Sequence, residues 1–197
     1  MDEIKTVFAG ILGFANNYKP YNFNAGEGVL IAVVAEWLGA KDWDLLERDP
    51  RTSPRRDIEA TDGQKLTLGD TTITLYVTPG HTLSTISSLV PVKDAGRPHM
   101  AMEWGGTVIS PAMPMEQLKS YVSSAGRFLD LAQGSGADVI FSNHTAFDGT
   151  LVKLDALKNR KPGDPNPWIV GKDTVKRYLT IAEECGKATL AVAEARR

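Results

Sequence analysis

At 197 residues, with 24 acidic and 22 basic side chains and a formal charge of -2, the chain is long enough for one domain with a real core and short for two. The near balance of charge excludes nucleic acid and anionic membrane as electrostatically driven partners and leaves a small-molecule substrate as the expectation. A single cysteine excludes an intrachain disulfide, and no apolar run approaches the ~18 residues of a membrane-spanning helix; the longest, Val29 to Ala35, has seven.

Asp2 and Glu3 occupy the place of a basic n-region and no small-residue cleavage site follows, so no signal peptide is expected and a cytoplasmic location is favoured. Ile4, Val7, Phe8, Ile11 and Leu12 recur at the spacing of one helical face, which predicts a short amphipathic helix. Asn16 to Gly28 reads as a loop pinned by Tyr18, Tyr21 and Phe23, and the continuous apolar run Val29 to Ala35 reads as a buried strand or a helix start, with strand preferred. Lys41 to Asp62 carries five basic and seven acidic residues broken by Pro50 and Pro54, the mark of a solvated face, with a short helix around Trp43 to Leu46.

Gln64 to Leu68 and Thr71 to Val77 predict a hairpin across Gly69-Asp70. Ile73, Leu75 and Val77 alternate with Thr72, Thr74 and Tyr76, the period of a half-buried strand, and Pro79-Gly80 ends it. His81 is thereby placed on a rigid turn at a strand end, the position of a metal ligand or general base, and the hydroxyl of Thr82 could hold its second nitrogen. Strands at Thr85 to Val92 and about His99 to Trp104, joined by a loop over Lys93 to Pro98, complete an antiparallel meander.

The i, i+3, i+4 spacing of Leu118, Tyr121, Val122, Ala125, Phe128, Leu129 and Ala132 predicts a helix over Met115 to Gln133. A short buried strand, Ala137 to Phe141, runs into Ser142-Asn143-His144-Thr145, so a second histidine also lies just past a strand end. Thr150 opens a helix to about Lys158, with Asp148 expected to cap the turn before it. After a proline-rich loop, Lys161 to Pro167, one long helix runs from Lys172 to Arg196 with Val175, Leu179, Ala182 and Val192 towards its buried side. Cys185, at helical spacing with Tyr178, Ala182 and Thr189, reads as a packed thiol. His99 reads as a surface or cross-strand histidine, and Glu103 as facing solvent or an edge. No Gly-x-Ser-x-Gly elbow is present, which argues against a serine hydrolase.

Thr78-Pro79-Gly80-His81-Thr82 after its strand, followed in order by Trp104-Gly105-Gly106-Thr107, Ser142-Asn143-His144 and Phe147-Asp148-Gly149, resembles the metallo-β-lactamase superfamily, and within it the subclass rich in histidine ligands. The resemblance runs from about Asp42 to the C-terminus, with residues 1–41 divergent or truncated, and implies a single domain of α/β class, an αββα sandwich with a shortened N-terminal half. It further implies zinc as cofactor, with His81 in a first site and His144 in a second. Thr82, Asn143 and Asp148 would stand behind or beside them, and the reaction would be hydrolysis of a lactam, lactone or related ester. The family's His-x-His-x-Asp-His motif is absent upstream of His81, so a full dinuclear site is not expected from this chain alone and no catalytic residue is assigned. The alternative is a catalytically inactive scaffold of that fold used for binding or for assembly of a homo-oligomer.

Overall fold

The computed structural model describes residues 60–196. The helix expected near the N-terminus, the strand Val29 to Ala35, the short helix Trp43 to Leu46 and the shortening of the N-terminal half all lie outside the described residues.

Among the described residues, five strands form one sheet in the order β1 (Lys65–Leu68), β2 (Thr71–Val77), β3 (Ile86–Asp94), β4 (Arg97–Glu103) and β5 (Val139–Phe141). The first four are an antiparallel meander, while β5 lies parallel to β4. A parallel neighbour needs a crossover, and helix α1 (Met115–Ser135) supplies it. A one-turn helix α2 (Thr145–Asp148), then α3 (Thr150–Lys158) and α4 (Lys172–Ala195), complete the described chain. No helix among the described residues is long and apolar enough to cross a membrane.

The expected hairpin forms with Gly69-Asp70 as its turn, since Leu68 pairs with Thr71 and Gly69 takes φ +61°. The loop expected over Lys93 to Pro98 is instead a two-residue turn. Asp94 pairs with Arg97, and Ala95 and Gly96 both take positive φ, +48° and +79°. Paired positive φ values fit the tight hairpin turn whose twist matches that of its strands, so both strands run further than the composition indicated. The strand expected from Ala137 starts at Val139 because the N–H of Ala137 closes the end of α1 on the carbonyl of Ala132.

Alternation along the strands sorts side chains onto two faces. Leu89, Met102, Trp104 and Ile140 meet Tyr121, Ala125, Phe128 and Ala132 of α1 and Val175 and Leu179 of α4 in the main core. Trp104 stacks on Phe128 with ring centres 5.6 Å apart and meets the edge of Tyr121 at 5.7 Å. The opposite face carries Val90, Ala101 and Val139 with Phe141, Trp168 and Ile169. Between α1 and α4, Gly186 lets the ring of Tyr121 come so near that a methyl group there would lie 2.8 Å from it. Two expectations for α4 are corrected: Cys185 and Val192 are exposed, because the stripe that packs on α1 runs through Val175, Leu179, Gly186 and Ala193 instead. Asp94 ties the far hairpin to the loop after α3. It accepts two bonds from Arg160, at 2.7 and 2.9 Å, and one from Asn166 at 3.1 Å. These hydrogen bonds hold its carboxyl down to about 2.

Candidate functional site

Val77 pairs with Ile86, Ser88 with Glu103, and Glu103 with Phe141. The segments that follow β2, β4 and β5 therefore leave the sheet at one rim, and both strand-end histidines lie there.

The first turn is fixed by its backbone. The N–H of Thr78 donates to the carbonyl of Thr85 at 2.8 Å, the N–H of Gly80 to that of Thr82 at 2.8 Å, and the hydroxyls of Thr78 and Ser87 meet at 2.8 Å. Helix α1 holds it from behind: Ser124 donates to the carbonyl of Pro79 at 2.8 Å and the Gln117 amide to that of His81 at 2.9 Å. Gly80 is required twice over, by φ +153° and because a Cβ there would run into the backbone of Tyr121. The His81 ring places Nδ1 2.5 Å from the carbonyl oxygen of Val108. A carbonyl can only accept, so Nδ1 carries the proton in the neutral ring and Nε2 carries the lone pair. The expected partner, Thr82, is not the group at Nδ1; its hydroxyl lies 3.0 Å from that of Thr85.

The second turn is built on Asp148. One carboxylate oxygen accepts from the N–H of Ser142 at 3.1 Å, and the other from the N–H and hydroxyl of Thr150 at 2.9 and 2.5 Å. This is the expected cap before α3, and it also clamps the turn's entrance to its exit. His144 follows, exposed, its N–H on the hydroxyl of Ser142 at 3.1 Å and its ring centre 5.9 Å from that of Phe147. Behind this turn Tyr178 is pushed up to about 12, chiefly by burial and in opposition to its hydrogen bond with Ser142.

The two histidine turns are joined by the loop after β4, a connection that spacing alone does not reveal. Gly105 donates to Ser87 at 3.1 Å, Thr107 donates to the Oδ1 of Asn143 at 3.0 Å, and Val108 receives His81. Within five residues the loop thus touches the start of β3 and both histidine turns. The Nδ2 of Asn143 is buried and meets no hydrogen-bond partner among the described residues.

His99 stands at the other end of β4, opposite Val92, with Nδ1 2.6 Å from the carboxylate of Asp138. Strand polarity keeps it from the rim. Glu103, expected at solvent or an edge, is on an interior strand of the sheet and partly buried, with the Ser88 hydroxyl 3.5 Å away; burial pushes its carboxyl up to about 7. The only sequence signal was its place in the alternation with Met102 and Trp104, which assigns it to the face away from the helices. Among the described residues, no group of three His, Cys, Asp or Glu side chains is gathered that could hold a metal ion. Zinc sites take three or four protein ligands, so the two imidazoles do not complete one by themselves.

No family model and no curated protein matches the chain. Solved structures do. A subclass B3 metallo-β-lactamase of Bradyrhizobium japonicum superposes with TM-score 0.58 at 25% identity over 73% of this chain and 54% of that one. The native metallo-β-lactamase of Legionella gormanii gives 0.62 at 20% identity over 82% and 63%, and a metallo-β-lactamase of Cronobacter sakazakii 0.56 at 21% over 73% and 56%. The chain thus spans between about half and two thirds of the length of these structures.

Proposed function

Because this chain is by its fold a member of the metallo-β-lactamase superfamily, we propose that the rim carrying His81 and His144 serves hydrolysis of a lactam, lactone or related ester. Water oxygen would bond to the carbonyl carbon, the C–N or C–O bond would break, and the leaving nitrogen or oxygen would depart with a proton. The observation that carries this reading is the orientation of His81. The Val108 carbonyl leaves Nε2 as the lone-pair nitrogen, and the same loop reaches the second histidine turn through Thr107 and Asn143. An imidazole held by a carbonyl in this way is prepared to ligate a metal or to accept a proton.

His81 and His144 are the imidazoles this reading assigns to zinc. Zinc, when bound, lowers the pKa of a water to about 7 and so supplies a hydroxide near neutrality. No histidine or cysteine precedes His81, so any further ligand from that part of the sequence would be a carboxylate.

The test is zinc content of protein purified without chelator, with turnover of a chromogenic lactam and a p-nitrophenyl ester. We expect zinc and turnover that both fall in His81→Ala. Less than about half an equivalent of zinc together with no turnover would sink the proposal.

The second reading is an inactive scaffold that binds or assembles with another copy. It draws support from the two-imidazole inventory and from β1, a strand at the edge of the described sheet. Sedimentation as a monomer at micromolar concentration, with turnover present, would remove it.

A further inference from the structure

The two ends of one segment close on a single residue. Residues 108–117 join the loop after β4 to the first turn of α1. At one end the Val108 carbonyl lies 2.5 Å from Nδ1 of the His81 ring, and at the other the side-chain amide of Gln117 donates to the main-chain carbonyl of His81 at 2.9 Å. Between these ends the segment is folded by its own bonds. The N–H of Met113 donates to the carbonyl of Ser110 at 3.0 Å, that of Ala112 to the Ser110 hydroxyl at 3.3 Å, and that of Gln117 to the carbonyl of Pro114 at 3.0 Å.

The two grips constrain different things. An oxygen on Nδ1 sets the torsion of the ring, whereas a donor on the main-chain carbonyl sets the place from which the side chain departs. The ring bond gives a direction only while Val108 keeps its position relative to the His81 backbone, and Gln117 ties the segment back to that backbone. Ser124 braces the same turn, but through Pro79, two residues before the imidazole. Gln117 is uncharged and partly buried, so replacing it by a neutral side chain changes the geometry around His81 and adds or removes no ionisable group. Geometry matters steeply here, since a reacting group displaced by about 1 Å can lose on the order of 100-fold in rate.

We propose that Gln117 is a positioning residue for His81: the segment from Val108 to Gln117 acts as a strap that holds ring and backbone together and so fixes the direction of Nε2. The inference rests on the hydrolase reading above and adds to it a residue of α1 that acts through His81. Because the strap sets orientation and not substrate contact, its loss falls on kcat and leaves KM nearly unchanged.

Two of the three histidines hold Nδ1 against an oxygen, His81 on Val108 and His99 on Asp138. NMR of protein isotope-labelled in its histidine rings should therefore show two slowly exchanging ring N–H protons, with the one absent from His81→Ala assigned to His81 and that of His99 serving as internal reference. In Gln117→Met the His81 proton should exchange at least about tenfold faster with the His99 proton unchanged, and kcat for a p-nitrophenyl ester or chromogenic lactam should fall at least about tenfold with KM within about threefold. Gln117→Ser, polar but too short to reach the carbonyl, should do the same. Leu179→Ala, which weakens the core away from this turn, should leave the His81 proton within about twofold of the wild type. A His81 proton unchanged in both Gln117 variants overturns the proposal, whatever happens to turnover. So does equal acceleration in Leu179→Ala, which would make the signal a report of stability, and so does an accelerated proton with kcat intact. A wild type without turnover removes the hydrolase reading instead; the exchange of the His81 proton then decides by itself whether Gln117 holds the imidazole.

Discussion

Replacing Glu103 with Gln removes an ionisation from an inner strand of the sheet and keeps the shape of the side chain. In the folded protein burial pushes the Glu103 carboxyl from its usual 4.5 up to about 7, and the Ser88 hydroxyl at 3.5 Å opposes this only weakly. A carboxyl with its folded value above its unfolded value holds its proton more tightly when folded. Its contribution to stability is therefore fully present below about pH 4.5 and lost as pH rises through about 7. The difference corresponds to roughly 3 kcal/mol between acid and alkaline limits, and the part of Glu103 still in contact with solvent trims this towards 1–2 kcal/mol. Urea unfolding at pH 5 and pH 8 measures it: Glu103→Gln should be close to the wild type at the lower pH and more stable by about 1–2 kcal/mol at the higher. A variant whose difference from the wild type is the same at both pH values would refute the claim that the native state shields this carboxyl from water.

Gly80→Ala should lower stability by about 2–4 kcal/mol in chemical denaturation, because φ +153° and the Tyr121 backbone both oppose a Cβ there; a loss under about 0.5 kcal/mol would mean that the turn is not pressed on α1. Leu179→Ala, in a fully buried position on the stripe of α4 that packs on α1, should cost about 2–5 kcal/mol by the same measurement. Arg160→Met should lower Tm at pH 7, and the gap to the wild type should narrow as pH falls from 3.8 towards about 2, where Asp94 takes up its proton and the ion pair ceases to contribute. A gap independent of pH over that range would show that the Arg160 stem, and not its charge, does the stabilising. Thr107→Val should cost about 1 kcal/mol by untying Asn143; an unchanged midpoint would remove the loop after β4 as the bridge between the histidine turns.

Much of the described fold was legible because its cues are local. Alternation over Thr71 to Val77, the Gly69-Asp70 turn and the helical spacing from Leu118 to Ala132 each commit a segment whatever its neighbours do, and all three elements stand where the pattern placed them. Where the pattern misled, a longer-range contact decided. Cys185 and Val192 share a helical periodicity with buried residues, yet the α1 surface selects the stripe through Leu179 and Gly186, which leaves both at solvent. Glu103 reads as a polar strand end until the order of strands makes β4 an inner one.

The residues His81 and His144, the strand ends that carry them and the likeness to a fold family were present in the one-dimensional chain, since each depends on short-range backbone preference and residue type. That the two turns share a rim, that Val108 and not Thr82 sets the tautomer of His81, and that Thr107 reaches Asn143 were decided only by the tertiary structure. The parallel placement of β5 beside β4 brings residues 107 and 143 to one edge, and a contact across 36 positions leaves no periodic trace in either segment.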